Sequence, residues 1–272
     1  MRWNGKTKIC YYENELLDDF EEANSDIDPI RIDKDYKYEH NIFWNIAASV
    51  VYWIAKIFFI LYAKLKFNTK IKNKYRIKKY KKQRKDLCHK GIVGDTGYFV
   101  YGNHTQDILD VITPTYVNLP SRVYVIANAK NVSMKGLKTL IPMLGSIPLP
   151  EDKVATKNFL DTIEKKIANG HVVAIYPEAH IWPFNTKIRH FDKASFRYPV
   201  KLNVPVFSET TTYVGDEKNV KVIVYVDGPF YPDKSLSPKE AQEKLRDEVF
   251  NAMEKRSKSS NVEVVKYLQK NV

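Results

Sequence analysis

The stretch YFVYGNHTQDILD, residues 98–110, decides how the rest of the chain is read. Its β-branched and aromatic opening, residues 98–101, predicts a strand. The polar turn after it, with His104 at its centre, leads into a helical pattern. Further strand candidates lie at residues 122–127, 171–176, 204–213 and 220–226. Between them fall helix candidates. Asp152 can cap a helix over residues 153–168, in which Phe159, Leu160, Ile163 and Ile167 share one face and Gly170 follows the end. Ser237-Pro238-Lys239-Glu240 has the form of a capping box with Pro at the first helical position, opening a helix to about residue 255. Alternating strands and helices from Gly91 onward predict an α/β domain with a mixed central sheet flanked by helices.

Upstream of this domain the texture differs. Residues 1–40 hold 11 Asp/Glu against 6 Lys/Arg, and residues 64–90 hold 13 Lys/Arg against the single Asp86. Most of the chain's net charge of +12 therefore belongs to one segment. Between these two lies IFWNIAASVVYWIAKIFFILYAKL, residues 42–65, long enough as a helix to cross the roughly 30 Å hydrocarbon core of a bilayer. Lys56 sits well inside it, and Asn45, Ser49, Tyr52 and Lys56 form a narrow polar line at helical spacing. A broad apolar cylinder with one polar line, Trp44 and Trp53 for headgroup depth and cations just beyond predicts an N-terminal membrane-associated helix held by anionic lipid. The positive-inside tendency puts everything after the Lys-rich flank in the cytoplasm. The organisation expected is thus an acidic segment over residues 1–40, a membrane-associated helix with a basic segment over 41–90, and the α/β domain over 91–272.

Composition removes several classes. Hydrophobic residues make up 44% and the only cysteines are Cys10 and Cys88, which excludes a disordered chain, a disulfide scaffold and a Cys-rich zinc site. A P-loop, a Gly-rich dinucleotide fingerprint, a Gly-x-Ser-x-Gly elbow and a metal-type cluster are absent, so neither a metal nor a cofactor is expected. Nucleic-acid binding rests on charge alone and is not expected.

Three segments carry chemistry. A histidine at a strand-to-helix turn with a carboxylate close along the chain makes a general-base pair, and His104 has Asp107 and Asp110 within reach. Residues 171–178 form a strand ending in Pro177-Glu178, which puts a carboxylate at the carboxyl edge of the sheet, where ligands bind in open α/β folds. The third is the short turn Asn203-Val204-Pro205-Val206.

In order and spacing these segments resemble the glycerolipid acyltransferase family, which includes the lysophosphatidic-acid acyltransferases. Asn103-His104 begins the family's Asn-His-x4-Asp block, Tyr176-Pro177-Glu178 its Phe-Pro-Glu block, and Asn203-Val204-Pro205-Val206 its final strand, while Phe191-Asp192-Lys193-Ala194-Ser195 looks like its Phe-Lys-x-Gly-Ala stretch. The aspartate position falls on Leu109, so the resemblance implies that a neighbouring acid takes the role. Asp110 needs only a one-residue shift. In the second block Pro148 and Glu151 stand where Phe and a phosphate-gripping Arg are expected, and Ala179-His180-Ile181 replaces Gly-Thr-Arg in the third. Nearby Lys187, Arg189 and His190 are candidates to supply the lost charge.

The resemblance implies transfer of an acyl group from acyl-CoA or acyl carrier protein to the hydroxyl of a lysophospholipid, foremost 1-acylglycerol-3-phosphate. His104 would act as general base and Asp110 or Asp107 would orient it. Asn103, Glu178, His180, Lys187 and Arg189 would line the acceptor side. The competing expectation is an inactive, membrane-bound lipid-binding protein on the same fold.

Overall fold

The computed structural model describes the chain apart from residues 2–3, 21–26, 91–93, 95, 217 and 271–272, and apart from the side chains of residues 107–108. Gly91, the expected start of the α/β domain, lies outside the described residues. In chain order the elements are β1 (Lys8–Tyr12), α1 (Ile42–Phe67), β2 (Lys70–Lys72), α2 (Tyr75–His89), β3 (Tyr98–Gly102), α3 (Asp107–Val117), β4 (Val123–Ala127), α4 (Ala129–Val132), α5 (Leu140–Met143), β5 (Ser146–Pro148), α6 (Lys153–Ala168), β6 (Val172–Ile175), α7 (Arg197–Leu202), β7 (Val206–Gly215), β8 (Val220–Phe230), α8 (Pro238–Ser257) and β9 (Val265–Gln269).

Among the described residues, seven strands form one sheet in the order β2-β8-β7-β3-β6-β4-β5. Only the β7–β8 pair is antiparallel, so the sheet is mixed as the sequence predicted. The central strand β3 is buried along its length. Its side chains alternate between two cores, as the period of two requires. Tyr98 and Val100 join the core closed by Ala63 of α1, Ile77 and Tyr80 of α2, and Leu109 and Ile112 of α3. Phe99 and Tyr101 join the one closed by Phe159 and Ile163 of α6 and by Leu245, Val249 and Met253 of α8. Both predicted caps form: Asp152 Oδ1 accepts from Ala155 N at 2.7 Å, and Ser237 and Glu240 close a capping box.

The boundaries expected at residues 40 and 90 do not separate structural units. β2, from the basic segment, is an edge strand of the main sheet beside β8. β1, from the acidic segment, pairs in parallel with β9 at the far end of the chain. After β1 the acidic segment continues across the carboxyl ends of the parallel strands. Phe20 N donates to Ile181 O, Asp28 N to Ser133 O, and Glu151 N to Ile32 O, so the segment touches the loops after β6, β4 and β5 in turn. Long-range pairing of this kind leaves no local periodicity, which is why the sequence divides where the fold does not.

Helix α1 turns its polar line inward. Ser49 Oγ accepts from Arg122, Tyr52 Oη accepts from Val123 N at 2.9 Å, and Lys56 Nζ donates to Ser121 O at 3.3 Å. Ile46, Val50, Ile54, Ile57, Phe58, Leu61 and Leu65 are exposed on the other side. Only 22% of its most apolar stretch is buried, the reverse of a soluble core helix. The helix ends at Asn68, whose left-handed backbone at φ 47° supplies the C-cap.

Candidate functional site

The parallel strands β3 and β6 lie side by side, and their carboxyl ends bring two loops together. Gly102 ends β3. A Cβ there would stand 2.6 Å from the Tyr176 ring, so glycine is what lets the chain after β6 approach this closely. Asn103 follows, 1% exposed, with both ends of its amide on the main chain of Thr211 in β7: Nδ2 donates to Thr211 O at 3.0 Å and Oδ1 accepts from Thr211 N at 2.8 Å. Expected on the acceptor side, Asn103 instead fixes the start of the loop to the sheet.

His104 comes next, its side chain 24% exposed. Its Nδ1 lies 2.8 Å from Asp110 Oδ2. The same carboxylate oxygen accepts from Thr105 N and Gln106 N, both at 2.8 Å. The loop before α3 thus aims three donors at one buried acid, Asp110. The side chain of Asp107 lies outside the described residues. An ionised carboxylate only accepts, so Nδ1 carries the ring proton and the Nε2 lone pair is free. Burial pushes the imidazole down, but the Asp110 hydrogen bond and charge, with the Glu178 charge, outweigh it and hold the ring above its ordinary value; Arg189 opposes. Tyr176 stacks on the ring with centroids 4.8 Å apart, and its hydroxyl donates to Asp110 O.

Glu178, its side chain fully buried, is bonded on both oxygens by the protein. Oε2 accepts from His104 N at 3.2 Å and from the Arg189 guanidinium at 3.1 Å, and Oε1 accepts from Arg189 N at 3.1 Å. Arg189 also bonds His180 O and, at 3.5 Å, Glu15 O, and lies over the Trp182 ring at 4.8 Å. With a side chain 2% exposed, its guanidinium makes these bonds inside the protein. His180 faces Asp19, Nδ1 to Oδ2 at 3.3 Å. Lys187 is exposed, and its main-chain N donates to Asn185 Oδ1. Ala179, where the resemblance has glycine, takes φ 63°, a left-handed conformation that costs a residue with a Cβ about 1–2 kcal/mol.

Trp182 and the acidic segment carried no role in the sequence reading. Trp182 N donates to His104 O at 3.1 Å, and its Nε1 donates to Asp18 O at 2.8 Å. Tyr12, Phe20 and Tyr267 pack their rings against Trp182 or against each other. The only sequence signal was the set of aromatic residues inside an otherwise acidic stretch. Among the described residues no group of His, Cys, Asp and Glu is arranged to hold a metal ion.

A protein-family model described as Acyltransferase matches residues 69–211. No curated protein matches the chain. Among solved structures, the crystal structure of the 1-acyl-sn-glycerophosphate (LPA) acyltransferase PlsC from Thermotoga maritima is similar at 18% identity, covering 81% of this chain and 95% of that one, with a TM-score of 0.45.

Proposed function

This chain belongs to the acyltransferase family, whose model spans more than half its length, and we propose that it transfers a fatty acyl group from a thioester to the hydroxyl of a lysophospholipid. The observation that carries the reading is the 2.8 Å contact of His104 Nδ1 with buried Asp110, which in the neutral ring gives Nδ1 the proton and leaves Nε2 to serve as the base. His104 takes the proton of the acceptor hydroxyl as its oxygen attacks the thioester carbonyl. When the tetrahedral centre collapses, the C–S bond breaks, and the leaving thiolate takes the proton back from the imidazolium. Asp110 fixes the tautomer and balances the imidazolium charge. No covalent enzyme intermediate is needed, and no cofactor beyond the donor thioester, either acyl-CoA or acyl carrier protein.

The outward apolar face of α1 supports membrane attachment, since an exposed strip of this size is costly in water and favourable at the headgroup boundary. Exposed lysines on α2, among them Lys78, Lys82 and Lys85, would meet anionic lipid on the cytoplasmic side. An acceptor such as 1-acylglycerol-3-phosphate then enters from the leaflet. The test is acyl transfer from acyl-CoA, and separately from acyl carrier protein, to 1-acylglycerol-3-phosphate in vesicles. His104→Ala should lower kcat by roughly 100-fold or more. Equal rates in wild type and variant would overturn the catalytic reading and leave a lipid-binding protein.

A further inference from the structure

The peptide unit of His104 is held from both sides by one loop. Its N–H is bound by Glu178 and its C=O by Trp182 N–H. Each of these holders is itself held. Arg189 fixes the Glu178 carboxylate by a guanidinium hydrogen bond and a main-chain one, and closes on His180 O. Trp182 is pinned through Nε1 to Asp18 O and through its ring to Phe20. Arg189 reaches the same N-terminal stretch at Glu15 O. The path from the N-terminal segment to the base therefore runs through contacts at every step, and no part of it needs to touch substrate.

We propose that Arg189 is a positioning residue for His104, acting through Glu178, and that the acidic N-terminal segment is the brace that keeps this clamp closed. This rests on the reading of His104 as the base. Arg189 fits the role because its planar guanidinium presents a fixed fork of donors, enough for a carboxylate and two carbonyls at once. A buried carboxylate without that partner would no longer be held in place, and the His104 N–H would lose its well-placed acceptor. A displacement of about 1 Å at a base is enough to cost up to roughly 100-fold in rate. The charged and titratable groups facing the His104 ring are Asp110 from α3, Glu178 and Arg189 from the loop after β6, and the stacked Tyr176.

Full-length Arg189→Gln, Arg189→Lys and Phe20→Ala proteins would be compared with wild type. The readouts are kcat and KM for transfer to 1-acylglycerol-3-phosphate, thermal melting, and NMR titration of the His104 ring. Arg189→Gln should lower kcat roughly 10- to 100-fold with KM within about twofold. It should also raise the His104 titration midpoint, because the opposing positive charge is gone. Arg189→Lys should restore the midpoint and most of kcat. Phe20→Ala, whose side chain is remote from the reacting atoms, should lower kcat several-fold without changing KM. An unshifted His104 titration in folded Arg189→Gln would overturn the proposal. So would a raised KM for the phosphate-bearing acceptor with kcat intact, since that places Arg189 on the substrate. A shifted His104 titration in Arg189→Gln, alongside a wild type that transfers no acyl group, would sink the proposed function and leave the clamp standing.

Discussion

On the proposed mechanism His104 must meet the alcohol without a proton on Nε2, and its contact with Asp110 sets the pH at which it does so. Because the pair holds the His104 ring above its ordinary value, the acidic limb of kcat/KM against pH should have its midpoint above about 6.5. A limb at or below that value would show that the hydrogen bond is not made in the free enzyme. The sign for stability runs the other way. A histidine raised in the folded state adds stability that is complete below its unfolded value and disappears as pH rises through the folded one. On the proposed mechanism the ring serves as a base where it adds least to stability.

A second buried acid lies close behind the loop. Glu209 sits opposite Gly102 in the β3–β7 ladder, and burial, opposed by the Asn118 hydrogen bond, pushes its carboxyl up to about 8. Burial thus favours the protonated acid, and its Oε1 accepts from Asn118 Nδ2 at 2.7 Å. A raised acid weakens the fold progressively from the unfolded value of about 4.3 up to the folded one, because the folded state must hold a proton that the unfolded state releases. Glu209→Gln keeps the shape without that linkage. Its melting temperature should gain on wild type as pH rises from 5 to 8, by an amount equivalent to roughly 1–3 kcal/mol at the top of the range. Parallel melting curves across that range would show that Glu209 is ionised when folded.

At the scale of elements, α1 has its ordinary polarity reversed. Its Ser49, Tyr52 and Lys56 satisfy the start of β4 and the chain just before it, while Ile54 and Phe58 stand 66% and 65% exposed. Replacing these two with serine removes no contact inside the protein, so melting should move by no more than surface substitutions do, about 0.5 kcal/mol each. Binding to vesicles should fall by at least about tenfold, given roughly 1.5–3 kcal/mol for burying each such side chain. Unchanged vesicle binding in the double variant would show that the face is not the anchor. The caps at Asp152 and Ser237 are the elements most legible from sequence. Each is a contact between residues three apart, and its signature is complete within four positions. Short strands were missed for the opposite reason: β2 and β5 have three residues each, too few for a period to show, and β1 pairs with β9 at the far end of the chain.

Across the whole molecule, the acidic first forty residues are where reading and structure part most. Charge and composition set them apart as a segment of their own, yet they pair with the last strand and run over the carboxyl ends of the sheet. Along this path a main-chain pairing with residue 265, a carbonyl accepting from Trp182 and a bridge to Met134 all come from one stretch. None of these contacts has a sequence pattern, since main-chain hydrogen bonds are indifferent to side-chain identity.

The sequence by itself determined the alternation of strands and helices, the two capped helices, the apolar stretch with its narrow polar line, and the histidine placed between a strand and a helix. All of these are written in neighbours a few residues apart, where period and capping chemistry act. Only the tertiary structure decided that Asp110 meets His104, because that depends on a loop turning two main-chain N–H groups onto the same oxygen. It also decided that Asn103, Glu178 and Arg189 are spent holding the site together. Whether a charged or polar side chain faces substrate or its own protein depends on which distant chain arrives beside it, and that is fixed by packing.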